Sequence, residues 1–346
     1  MKSILSVDGG GIRGIIPLAC LARLEALKGK PSRELFDMVV GTSTGAIIAA
    51  GIALGLDAGR ILGLYRDLAL KAFQRLPWWE IVLNQGNHRY SGEFIARTLD
   101  EIGADIPLND LPIDILITGK STVTSRTDFF VRDNPGNGCV WGTMHLRDAV
   151  LASIAVPTYF PAHTAVVRGQ THTWVDGGVG VAGNPCYHAA VEAIHYSAGL
   201  YPPGETRLLS FGTGRAPHRI DAPRASILDW GRWVLAELLE DAADWQTYVT
   251  RREYGEGGRI DFRRYQLDFT PEVMLELGVE VPPGVDVGKI EMDSVWAVGL
   301  LEEIGRRFAE KIDFEKPGGY EIGAAKARRR GIPMPGIGRP PAQTPH

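Results

Sequence analysis

The sequence predicts an α/β protein whose largely parallel sheet is covered by helices. Three observations lead there. Short apolar runs alternate with longer helical patterns over the first two-thirds of the chain. Two of those runs stop at glycine-bearing turns that lead straight into helices. No Pro- or Ser-rich linker and no internal repeat divides the chain.

The elements follow in order. "SILSV" (3–7) is strand-like, and behind it Leu18, Leu21, Leu24 and Leu27 recur at helical spacing with Arg23, Glu25 and Lys28 between them. "FDMVV" (36–40) is a second strand ending at Gly41, and "AIIAAGIALGL" (46–56) a buried helix. A helical stretch then runs to about Phe73, and "SGEFIARTLDEIG" (91–103) adds another with Ser91 as its N-cap. "IDILITG" (113–119) and "DFFVR" (128–132) are adjacent strands, and "RLLSFGTG" (207–214) is a further one. Past Gly214 the pattern turns helical: one long helix starts at Ser226, and a later one places Val298, Leu301, Ile304, Phe308 and Ile312 on one face. The stretch between them, with "VPPGVDVG", reads as loop-rich. The expected organisation is one domain over residues 1–317, with core motifs in 3–214 and a helical part in 215–317. A loosely attached Pro/Gly/Arg-rich tail follows over 318–346.

A chain of 346 residues, 45% hydrophobic and 23% charged, can bury a sizeable core, and a net charge of −4 argues against nucleic acid as a partner. Cys20, Cys139 and Cys186 are odd in number, far apart and outside any C-x-x-C, which fits buried thiols in a reducing compartment. No basic-then-apolar leader precedes the first strand, and no apolar run reaches the roughly 20 residues needed to span a bilayer. The expectation is a cytoplasmic protein, with transient contact to a membrane surface left open.

The chemistry concentrates in three short motifs. "VDGGGIRG" satisfies G-x-G-x-x-G through Gly9, Gly11 and Gly14, between a strand and a helix, with Glu34 and Asp37 about where a ribose-binding acid is sought. That match alone supports a nucleotide-binding oxidoreductase or regulatory module, or a plain tight turn. "GTSTG" contains G-x-S-x-G, Gly41 to Gly45, after a strand and before an apolar helix, the context of a nucleophile elbow that lifts Ser43 clear of the sheet. A serine hydroxyl needs a base. The order Ser–acid–His of α/β-hydrolases fails here, because after Pro202 only His218 and His346 remain; His88, His145, His163, His172, His188 and His195 lack a fitting context. Asp176, followed by two glycines at the end of a β-like run, is the alternative base.

Together these motifs resemble the patatin-like phospholipases. The family's D-G-G-G-x-[RK]-G matches Asp8 to Gly14 at every fixed position, its G-x-S-x-G matches Gly41 to Gly45, and its D-G-[GA] matches Asp176 to Gly178. "ASIAVPTYFPA" (152–162) and "SFGTG" (210–214) also look like the family, while "AGNP" (182–185) has Gly183 where Asn is common. The resemblance spans about 3–214. It implies a three-layer α/β/α sandwich with extra C-terminal helices and a lipid acyl hydrolase without cofactor or metal, acting on phospholipid or a related acyl ester. It also implies Ser43 as nucleophile, Asp176 as its base, and an oxyanion hole from Gly10 and Gly11 with Gly9 nearby, supported by Arg13; Asp8 braces the turn. An aspartate near its ordinary pKa of about 4 is a weak base at neutral pH, so the pocket is expected to raise it, or the oxyanion hole to carry most of the acceleration. For "LPWWEIVL" (76–83) both a lipid-touching edge and internal packing are open. Trp230, Trp233 and Trp245 are expected in the core, and Arg328 to Arg330 in a solvated tail.

Overall fold

The computed structural model describes residues 1–72, 88–216 and 220–323. Its strands are β1 (Lys2–Val7), β2 (Met38–Gly41), β3 (Asp114–Ser121), β4 (Thr127–Val131), β5 (His163–Val167), β6 (Gln170–Asp176), β7 (Thr206–Phe211), β8 (Ile260–Leu267) and β9 (Gly319–Ile322). The helices are α1 (Ile15–Lys28), α2 (Ser32–Leu35), α3 (Thr44–Ala53), α4 (Ala58–Ala72), α5 (Glu93–Glu101), α6 (Leu146–Ser153), α7 (Cys186–Val191), α8 (Ile227–Val249), α9 (Pro271–Leu277) and α10 (Val298–Lys311). Strands β3, β2, β1, β7, β8 and β9 run parallel in that order.

Alternation along these strands separates two cores. Leu5, Val7, Val39, Ile115, Ile117, Leu209 and Phe211 face one side, packed with residues of α1, α3, α4 and α10. Ile4, Met38, Val40, Leu116 and Leu208 face the other, with Cys186, Ala189 and Ala190 of α7. Burial on both faces is why these strands read as unbroken apolar runs, and the result is the three-layer α/β/α sandwich.

One detail of the sheet positions the site. Strand β4 runs antiparallel along one edge of β3, opposite Leu116 to Lys120. The other edge is shared end to end: β2 pairs with Asp114 to Ile117, and β6 takes over antiparallel at Gly119 to Ser121. Gly41 therefore lies opposite Ile117, and Asp176 opposite Gly119.

Three expectations need correction. The stretch read as loop-rich also holds two regular elements that the sequence reading did not name, β8 and α9. Strand β8 escapes a hydropathy reading because Arg263 and Arg264 interrupt it, yet both are buried and paired. The sheet also continues past residue 317: β9 pairs with β8, and a side chain at Gly319 would fall on the Arg264 backbone, so the glycines that suggest a tail permit a close strand contact. The rest of the expected tail, 324–346 with Arg328 to Arg330, lies outside the described residues, as does "LPWWEIVL". Finally, Trp230 and Trp245 are exposed rather than in the core. Ser91 does accept from the Glu93 N–H, at 3.2 Å, although Gly92 is the residue flanking α5. Ser226 caps α8 as expected, in a reciprocal capping box with Asp229.

Candidate active site

The glycine turn after β1 is held by its carbonyls. The Thr213 hydroxyl donates to Gly9 O at 2.7 Å, Arg13 Nε and the Arg13 N–H donate to Gly10 O at 3.3 and 3.2 Å, and Gly11 O accepts from Thr44 Oγ1 at 2.6 Å and from the Tyr65 hydroxyl. Fixing the carbonyls fixes the amides. The Gly9 N–H donates to Gly183 O at 2.9 Å, so it is committed to the turn. The N–H groups of Gly10 and Gly11 have no acceptor among the described residues. Gly11 sits at φ 57° with Met292 O where a Cβ would be, so only glycine serves there.

Ser43 stands at the junction of β2 and α3 with φ 53° and ψ −122°. A left-handed backbone at a non-glycine residue costs about 1–2 kcal/mol, and the surroundings enforce it. A side chain at Gly41 would strike the Gly45 carbonyl, and one at Gly45 the Val7 carbonyl. The Ser43 N–H donates to Ser153 Oγ at 2.9 Å, and Thr42 Oγ1 bonds Thr118 Oγ1 at 2.8 Å and Ala182 O at 2.6 Å. Ser43 precedes the first turn of α3, which carries no acidic residue.

Asp176 ends β6 and is 4% exposed. Its Oδ1 accepts from the Gly178 N–H at 2.6 Å, whereas Oδ2 is buried with no partner in hydrogen-bond geometry. Burial pushes its pKa up to about 6, against the opposing pull of the nearby Ser43 hydroxyl and the Gly178 N–H. The carboxylate is thus poised beside the hydroxyl with one oxygen uncommitted.

Two arginines border the turn. Arg264 forms a bidentate buried pair with Asp8, Nη1 to Oδ1 at 2.8 Å and Nη2 to Oδ2 at 2.5 Å, and Nη1 also reaches Ser210 Oγ at 2.8 Å. Burial opposes the Arg264 charge, and Asp8 outweighs it, so its pKa rises. Asp8 is thereby tied to β8 at the start of the turn. Burial lowers the pKa of Arg13, with Glu240, Tyr65 and Glu291 opposing.

Ser43, Asp176, Gly9, Gly10, Gly11 and Arg13 all line one cavity of about 220 Å³, several times the ~30 Å³ share of one water. Its apolar wall comes from α3, α4, α5 and the segment after α6, with Ile47, Leu68, Ile95, Ile154 and Phe160. Charged groups come from the strand ends and α8, through Arg215, Glu240 and Asp244. His88, His145, His163, His172, His188 and His195 do not line it; His163 pairs with Asp148, and His195 with Tyr254. Asp37, the other candidate acid of the nucleotide reading, accepts from Lys2 Nζ and the Ser3 N–H at the opposite end of β1 from the glycines. Sequence reasoning missed Ser153, Thr213, Tyr65 and Arg264; all act through hydrogen bonds between residues far apart in the chain, which no local pattern encodes.

The family profile described as patatin-like phospholipase matches residues 5–190. The chain belongs to that family. Among curated patatin-like relatives, the cGAMP-activated phospholipase of Vibrio cholerae serotype O1 is 30% identical over 228 residues, covering 61% of this chain and 63% of that protein. The cGAMP-activated phospholipase of Escherichia coli strain TW11681 is 31% identical over 201 residues, covering 55% of each. The match thus spans little more than half the length of these two relatives. Patatin-15 of Solanum tuberosum is 25% identical over 364 residues, covering 91% of each. Among the described residues no helix is long and apolar enough to cross a membrane.

Proposed function

We propose that this chain is an acyl-ester hydrolase of phospholipid or related lipid in which Ser43 is the nucleophile and Asp176 its base. The observation that carries the reading is a single juxtaposition. A serine in a left-handed backbone stands between a buried carboxylate oxygen and two amides, none of which has a hydrogen-bond partner among the described residues, in a cavity with an apolar wall. Asp176 Oδ2 takes the proton as Ser43 Oγ attacks the ester carbonyl. The carbonyl oxygen, now negative, is stabilised by the N–H groups of Gly10 and Gly11, with the Arg13 charge nearby. Collapse expels the alcohol, which takes the proton from Asp176. Water, deprotonated by the same carboxylate, then attacks the acyl-serine; Ser43 Oγ leaves, takes the proton back from Asp176, and the fatty acid is released. The sheet from β1 to β9 is taken as one catalytic unit.

A fluorophosphonate probe is expected to label one residue, mapped by peptide mass analysis to Ser43, with parallel loss of fatty-acid release from phosphatidylcholine. Label on another residue, or hydrolysis that survives full labelling, removes the assignment. The pH profile is a second check. Because Asp176 must be ionised and its pKa lies near 6, kcat/KM for a soluble ester should rise through about pH 6 and level above it. A limb near pH 4 would show that burial does not tune the base.

The anchored carbonyls predict a third result. Tyr65→Phe removes one of the two side-chain donors to Gly11 O while leaving Thr44 in place. A loosened amide pair should lower kcat by roughly tenfold with KM little changed, at a stability cost of about 1 kcal/mol. A rise in KM with kcat intact would place Tyr65 in substrate binding instead.

A further inference from the structure

We infer that the outward face of α8 is the surface by which this chain seats itself on an uncharged lipid layer, an inference that rests on the acyl-hydrolase reading above. Ile227, Trp230, Val234, Leu238, Trp245 and Tyr248 are all exposed. They are three, four, four, seven and three residues apart, which at about 100° per residue keeps them within an arc of roughly 80°. Aromatic pairs mark both ends of the stripe: Trp230 meets Trp233 edge-on with ring centres 5.7 Å apart, and Trp245 stacks on Tyr248 at 5.4 Å.

The helix has little other reason to be apolar there. From Ile227 to Trp245 none of its described side chains is buried, although a helix normally draws its stability from one packed face. Its attachment is polar and lies on the inner side. Arg215 Nε reaches Glu240 at 3.0 Å, Arg215 Nη1 reaches Asp244 at 3.0 Å, and Asn184 Nδ2 donates to Ala243 O at 3.0 Å. Leu239, Glu240, Ala243 and Asp244 on that inner side line the cavity. Anything lying on the outer side is therefore one helix diameter, about 10 Å, from the wall of the cavity.

Composition decides the kind of occupant. Asp241 is the single charged residue on the arc, and it is negative, so an anionic surface gains nothing there. Tryptophan and tyrosine bordering aliphatic side chains suit the headgroup boundary of a zwitterionic layer. The stripe is also narrow. Its six side chains expose on the order of 600 Å², below the ~800 Å² that each partner of a specific protein interface buries, while insertion into lipid has no such threshold.

The test uses the full chain with phosphatidylcholine vesicles in a sedimentation assay, and p-nitrophenyl butyrate as a soluble ester. Wild type should partition onto the vesicles. Leu238→Glu and Trp245→Glu should each weaken partition at least about tenfold, since each loses a buried apolar side chain and gains a charge. Hydrolysis of the soluble ester should stay within about twofold of wild type, because neither side chain lines the cavity. Equal partition by wild type and both variants, no partition by wild type, or a homodimer that Leu238→Glu dissociates would each overturn the inference. If wild type binds vesicles in this side-chain-dependent way yet cleaves no ester, the docking surface stands and the hydrolase reading falls.

Discussion

Ser43→Ala is expected to lower kcat/KM for a soluble ester by about 10⁴-fold or more. Removing the nucleophile of a hydrolase leaves only what its amide donors and binding cavity achieve alone, and losses of 10⁴ to 10⁶ are the usual scale. Here the variant separates chemistry from folding unusually well. Alanine keeps a Cβ at φ 53°, so the strain at the turn is retained and stability should change little. Ser43→Gly should be equally inactive but more stable by about 1 kcal/mol, because glycine adopts that backbone without penalty. Denaturant melts of both variants beside steady-state rates check this. Substantial residual turnover in Ser43→Ala would remove Ser43 from the chemistry.

Asp176→Asn should lose about 10³- to 10⁴-fold in kcat, since an amide cannot accept the proton. The same change should make the protein more stable at neutral pH. The native pKa near 6 lies above the ordinary 3.8 of an aspartate, so between those values the native state holds a proton that the unfolded chain has released. Stability conferred by the neutral carboxyl is therefore full below about pH 4 and lost as pH rises to about 6. Above that, ionising the buried group costs about 3 kcal/mol. Asparagine avoids that cost, keeps an oxygen for the Gly178 N–H, and directs its amide toward the Ser43 hydroxyl. Chemical denaturation at pH 7.5 should show Asp176→Asn more stable than wild type, with the gap closing near pH 4. A variant less stable at pH 7.5 would mean that the carboxylate is held by favourable contacts after all.

What the sequence disclosed follows from how locally each feature is encoded. The strands of the sheet centre, the elbow and the glycine turn each depend on neighbours within a few residues, and they are found where the motifs place them. That Ser43, Asp176 and the glycines share one cavity is set instead by strand register, which brings distant segments to one end of the sheet. Gly9 is the exception within the turn: its N–H is taken by Gly183 O, a partner 174 residues away that no spacing rule names. Strand β8 was illegible because Arg264 gains its burial from Asp8, at the far end of the chain. The outward face of α8 misleads in the opposite sense, since helical periodicity records where apolar residues lie and not whether protein covers them.

The shared edge of β3 acts as a ruler. Because β2 and β6 meet the same strand two positions apart, the reach between hydroxyl and carboxylate is set by pleat and register rather than by the 120-odd residues that separate the two segments in the chain. The loops that join these strands can thus lengthen or shorten while Ser43 and Asp176 keep their alignment. A slip of β6 by a single residue, in contrast, would turn Asp176 and the buried Trp174 to the opposite side of the sheet and part the carboxylate from the hydroxyl.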